Sequence, residues 1–260
     1  MSSYNYKWVQ YGILICLLVI GLLFCSPPSP GSSEERVRKA ENDQQWVEQE
    51  AVDIPIPADS GGEAKLTRNF YVIMDGSGSM REATTRDCGG DQEFPNKMVC
   101  ARWAIKKFLE NVPEDVNIGL YVFDSSGRGE VVPLGASNRE AFLKGVDDIE
   151  AGGGTPLAGA IRYGTDQLIE QYKKQLGYGE FRLVVVTDGK ARDIPDAALY
   201  AAKYGIPLYA IGLCVGLDHP LRYYSVSYRA ADNFSDLSKG LSDTLAELPN
   251  FDVTQFEDKQ

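Results

Sequence analysis

Two apolar runs in this chain stop abruptly at an aspartate-glycine pair, and that limits the possible folds more than any other feature. Phe70-Tyr71-Val72-Ile73-Met74 ends in Asp75-Gly76, and Phe181 to Val186 ends in Thr187-Asp188-Gly189. Val116 to Phe123 and Pro207 to Gly212 are two further runs of the same kind. Short runs rich in Val, Ile, Tyr and Phe, with no polar alternation, are strands buried on both faces. Helical patterns separate them. Lys97 to Asn111 gathers Val99, Trp103, Ile105, Phe108 and Leu109 mainly on one side, and Leu157 to Leu176 does so with Ile161, Leu168, Ile169 and Tyr172. Ala197 to Tyr204 is a short helix closed by Gly205, and Asn233 to Leu248 spaces Phe234, Leu237, Leu241, Leu245 and Leu248 by three and four. Strands alternating with helices make a mostly parallel sheet covered on both faces, which binds its ligands at the carboxyl ends of the strands.

Both aspartate-glycine pairs therefore fall on the edge of the sheet where function resides. The first pair opens Asp75-Gly76-Ser77-Gly78-Ser79, one carboxylate and two hydroxyls on a loop whose glycines allow a tight turn. Gly152-Gly153-Gly154-Thr155-Pro156 sets a further hydroxyl on a glycine loop that opens a helix, with Pro156 suited to the first helical position and Thr155 to its cap. Asp188 brings a second carboxylate to the same edge. With no nitrogen or sulfur among them, these oxygens suit a hard cation: magnesium, manganese or calcium. A serine-glycine turn and a simple helix cap are the plain alternatives.

Taken in order and in strand context, the three segments resemble the von Willebrand factor type A (VWA) domain, over roughly Leu66 to Leu248. The resemblance implies a doubly wound, Rossmann-like α/β sheet with one antiparallel edge strand, for which Gly129 to Val132 is the candidate. It also implies a metal-ion-dependent adhesion site in which Ser77, Ser79 and Thr155 touch one divalent ion, while Asp75 and Asp188 act directly or through water. An open coordination position would accept an Asp or Glu from a partner protein. The loops Arg81 to Asn96, Gly152 to Pro156, Lys190 to Asp193 and Leu213 to Pro220 would then select that partner.

The rest of the chain reads as attachment. Residues 1–7 are a short lead, 8–25 an anchor helix, 26–65 a Pro/Ser-rich and charged linker, 66–248 the domain and 249–260 a tail. The run from Val9 to Cys25, about 17 residues, is at the short end for a bilayer span, and Trp8 and Tyr11 flank it as interfacial aromatics. A cleaved signal peptide is an alternative, although Phe24-Cys25-Ser26-Pro27 lacks the small-residue pattern. A lipid anchor at Cys25 is another, with Phe24 departing from the expected small residue. Lys7 favours an inside amino terminus, whereas Arg36, Arg38 and Lys39 oppose it. The expectation is a membrane-tethered domain outside the cytoplasm.

Several functions are excluded. A formal net charge of −11 repels phosphate backbones, so nucleic acid is not a partner. A single histidine, His219, rules out a zinc site with several imidazoles, and it reads as a solvated turn residue. No Gly-x-Ser-x-Gly elbow or phosphate loop exists. Phosphatases with an aspartate nucleophile need a second aspartate where Ser77 stands, and an EF-hand needs glutamate at Arg86. No enzyme and no small-molecule substrate are expected. The rival reading is a cytoplasm-facing VWA subunit working with an AAA-type ATPase. Cys16 and Cys25 belong to the anchor. In an oxidising compartment Cys88 and Cys100 would be bridged, leaving Cys214 over; reduced thiols are the alternative.

Overall fold

The computed structural model of the protein describes residues 52–58, 61–84, 94–189, 191, 193–215 and 219–231. All belong to the unit Ala40–Gln260. The anchor at 8–25, the linker up to Ala51, the helix expected from Asn233 to Leu248 and the tail lie outside the described residues. Among the described residues, no helix is long and apolar enough to cross a membrane.

Strand β1 (Arg68–Asp75) is the axis of the fold, and every residue from Asn69 to Asp75 is buried. It pairs in parallel with β2 (Asn117–Phe123) on one side and β4 (Glu180–Thr187) on the other. Beyond them lie β3 (Glu130–Gly135), β5 (Leu208–Leu213) and β6 (Ser227–Ala231), in the order β3-β2-β1-β4-β5-β6. Among the described strands, only the β2–β3 pairing is antiparallel. The edge strand therefore starts one residue after the expected Gly129 and runs to Gly135.

Helices α1 (Lys97–Asn111), α2 (Arg139–Asp147), α3 (Leu157–Lys174) and α4 (Ile194–Lys203) cover the sheet. Successive strand side chains point to opposite faces, so β1 feeds two cores. Phe70, Val72 and Met74 pack with Ala104, Phe108, Phe142 and Val146 of α1 and α2. Tyr71 and Ile73 pack with Ile161, Leu168 and Ala197 of α3 and α4. The ring of Phe108 meets Phe70 edge-on, with centroids 6.4 Å apart.

Two elements carry no apolar run and escape the sequence reading. Helix α2 has nine residues and buries only Phe142, Gly145 and Val146. Strand β6 reads Ser-Tyr-Arg-Ala-Ala. Helix α4 starts at Ile194, earlier than the expected Ala197, because Pro195 sits in its first turn, where its missing N–H leaves no intrahelical bond unmade.

The segment ahead of β1, read as linker, is in contact with the fold. Val52 N–H donates to the Lys203 carbonyl at 2.5 Å, and Glu63 N–H donates to that of Lys174 at 3.0 Å. Ile54 packs against the second core. The Gln175 side chain holds the carbonyls of Lys65 and Thr67. This strap thus satisfies the carboxyl ends of α3 and α4 at the base of the sheet, opposite the strand ends that carry Asp75 and Asp188. Leu66, where the domain was expected to begin, is 85% exposed.

Substitution Phe108→Ala should cost about 3–5 kcal/mol in urea denaturation, because it empties a buried site between α1 and β1. Leu66→Ala should stay within about 0.5 kcal/mol.

Candidate metal centre

Asp75 ends β1 fully buried. A buried carboxylate needs donors, and it has them. Its Oδ1 accepts from the Ser77 N–H at 2.8 Å, and its Oδ2 accepts from the Thr187 hydroxyl at 2.5 Å. Burial pushes its carboxyl above the usual value, and the hydrogen bonds from Ser77 and Thr187 offset this only in part. Gly76 follows because there is no space for a side chain: its N–H donates to the Phe123 carbonyl at 2.8 Å, and an added Cβ would lie 2.8 Å from that oxygen.

From Asp75 a line of oxygens crosses to β4. Ser77 Oγ lies 3.1 Å from Ser79 Oγ, and Ser79 Oγ–H donates to Asp188 Oδ1 at 2.7 Å. The third loop closes on the first: Gly152 N–H donates to the Gly76 carbonyl at 2.7 Å, and Gly78 N–H to the Gly153 carbonyl at 3.2 Å. Thr155 is not the cap of α3. Pro156 takes that position and makes no side-chain cap bond. The Thr155 hydroxyl turns instead toward Gly189, where an added Cβ would lie 3.4 Å from Thr155 Oγ1 and 3.6 Å from Asp75 Oδ2. All five expected residues thus gather at the ends of β1, β4 and the loop before α3. Among the described residues, no three His, Cys, Asp or Glu gather as a metal cluster. The donor set is two carboxylates and three hydroxyls, which fits a hard cation and does not fit zinc.

Three supporting residues escape the sequence reading. Lys97, the first residue of α1, donates to Asp188 Oδ2 at 2.9 Å and to Glu82 Oε2 at 2.7 Å. Burial alone would lower its ammonium's pKa, but the bonds to Glu82 and Asp188 outweigh that and raise it. Asp124, just past β2, accepts from the Ser126 N–H and hydroxyl, the Glu150 N–H and the Arg128 guanidinium. Burial opposes its ionisation, yet these donors hold it below the usual carboxylate range. It anchors the loop leading to Thr155. Arg128, Arg102 and Arg81 hold successive parts of that loop through the carbonyls of Asp148, Ile149 and Ala151.

His219 is the third, and it is fully buried, not solvated. Its Nδ1 accepts from the Leu221 N–H at 3.2 Å, which leaves its proton on Nε2, 2.7 Å from the Gly189 carbonyl. The ring also stacks on Tyr228. It fixes the backbone next to Asp188. A histidine in a Gly-Leu-Asp-His-Pro stretch gave no hint of this, because Gly189 is 30 residues away.

The cysteine expectation is overturned as well. Cys100 is a free thiol on the buried side of α1, its pKa pushed up to about 11 by burial. Cys214, expected to be left over, is disulfide-bonded. Cys88 lies outside the described residues.

A family model for the von Willebrand factor type A domain matches residues 69–257. The chain belongs to the VWA family. It is 28% identical over 165 residues to a UPF0353 protein of Mycobacterium ulcerans, covering 57% of this chain and 46% of that one. A UPF0353 protein of Mycobacterium bovis BCG is 28% identical over 210 residues, covering 72% and 59%. The chain thus spans about half the length of the curated relatives it matches. A solved von Willebrand factor type A structure from Catenulispora acidiphila superposes with TM-score 0.53 at 18% identity, covering 69% of this chain and 42% of that one. An aerotolerance-related membrane protein from Bacteroides fragilis gives 0.53 at 17%, covering 69% and 98%. These structures establish the shared VWA fold.

Replacing Thr187 with valine keeps its shape and removes the hydroxyl that faces Asp75. In chelator-treated protein this should lower stability by about 2 kcal/mol, the size of a hydrogen bond to a charged group, read from urea titration.

Proposed function

We propose that this VWA domain holds one divalent cation, magnesium or manganese (or calcium), and uses it to grip an acidic residue of a partner protein. VWA domains commonly bind protein partners, and many bind a divalent metal at this position. The observation that carries the reading is the run of contacts from Asp75 through Ser77 and Ser79 to Asp188, with the Thr155 hydroxyl beside the adjoining Gly189. A hard cation bound there offers an open coordination position to a carboxylate. Ser77, Ser79 and Thr155 orient it, and the buried Asp75 and Asp188 balance its charge. Arg81, exposed beside the centre, gives an acidic partner positive potential despite the acidic whole. On this reading the domain is an interaction module, and its carboxylates and hydroxyls serve the cation and not a reaction.

We further propose that residues 8–25 tether the domain to a membrane, with the domain outside the cytoplasm. The support is the apolar run itself, its flanking aromatics and the Pro/Ser-rich stretch after it. A topology reporter fused after Gln260 checks the orientation; activity on the cytoplasmic side would reverse it.

Calorimetry on the chelator-treated chain should show one saturable site for magnesium or manganese. Asp75→Ala should abolish it while the circular dichroism stays native. Metal binding by that variant at the parent's affinity would overturn the assignment. In a pull-down from host envelope extract with magnesium present, Ser77→Ala should lose partners that the parent retains and that chelator releases. A partner held equally by both would place binding on another face.

A further inference from the structure

A cation already stands at this centre: the Lys97 ammonium. It occupies the second oxygen of Asp188 while Ser79 occupies the first. The lysine side chain is 11% exposed and that of Asp188 is fully buried, so water screens the pair poorly. Glu82, the other acceptor of Lys97, is 65% exposed and contributes far less. The position is also costly for a lysine. It is the first residue of α1, where the helix dipole presents its positive end, and no acidic residue of the first turn offsets it. The helix cap is supplied separately, by the Asn96 side chain accepting from Val99 N–H at 2.9 Å. Lys97 is therefore not needed to start the helix. What it does is neutralise Asp188.

This bears on any divalent cation that reaches the oxygen line. It would meet one carboxylate already committed to an ammonium, and a fixed positive charge on that carboxylate's far side. We infer that Lys97 holds the cation affinity of the centre down by competing for Asp188, so that the site is tuned to bind its metal weakly. The inference rests on the proposed cation site and names a residue that sets its strength.

The test uses the full 260-residue chain, manganese as the probe, and two readouts: calorimetric affinity and the rise in Tm on adding manganese. Lys97→Met keeps most of the side chain's length and removes the charge. It should bind manganese at least about tenfold more tightly, since it lifts one charge-assisted hydrogen bond and one repulsion together. Its ion-free form should melt lower than the parent and gain more from manganese. Lys97→Arg, which keeps the charge, should stay within about threefold of the parent. If Lys97→Met folds and binds manganese as the parent does, or more weakly, the inference is overturned. Should Lys97→Met not fold, Lys97→Gln decides. It keeps a donor near Asp188 and removes the charge, so manganese affinity should still rise severalfold, and unchanged affinity would overturn the inference. A parent chain that binds no manganese would instead overturn the proposed cation site itself.

Discussion

A carboxylate with no access to water, at the end of a strand with no access to water, sets the terms for everything around it. Asp75 can be kept there only if donors face both its oxygens. One is the Ser77 N–H, which forces the chain to turn back at once. The other is the Thr187 hydroxyl, which requires β4 to end level with β1. The parallel register, Met74 beside Val186, provides that alignment. Gly76 follows from the same demand, because the turn runs against the Phe123 carbonyl. The sheet order, the loop shape and the convergence of Asp188 on the same edge thus share one cause.

Around this point the loops are held by groups of alternating charge. Lys97 joins α1 to β4 through Asp188. Asp124 and three arginines pin the loop before α3, each through backbone groups that would otherwise be unpaired near the surface. His219 holds the carbonyl just past Asp188. An arrangement of this kind keeps five oxygens in place before any ligand arrives, which reduces what binding must spend on ordering them.

How much of this was legible in the sequence depends on how local the signal was. Strand β1 and helix α1 announced themselves: an unbroken apolar run ending at Asp75, and a three-four spacing bounded as expected at Lys97 and Asn111. The placement of the five oxygens was legible too, since each lies beside a glycine at the end of an element. Helix α2 and strand β6 were not, because Phe142 with Val146, and Tyr228 among alanines, are too sparse for a periodic pattern. Asp124, Lys97 and His219 were invisible for a different reason. Their roles come from partners 26, 91 and 30 residues away. Thr155 misled because a threonine before a proline is a sound cap by local rules, yet Pro156 takes the cap position and the Thr155 hydroxyl lies beside Gly189. The cysteines misled because spacing says nothing of which side of α1 a thiol lies on.

The strap before β1 has a mechanical consequence. It is joined to the base of the domain and runs directly into the same strand whose far end carries Asp75. A pull applied between the two would travel along β1 from end to end. The hydrogen bonds that hold β1 run sideways, to β2 and to β4, so such a load would shear both ladders together instead of peeling them apart one bond at a time. The strand that forms the oxygen-bearing edge is also the one in the sheet best placed to bear tension.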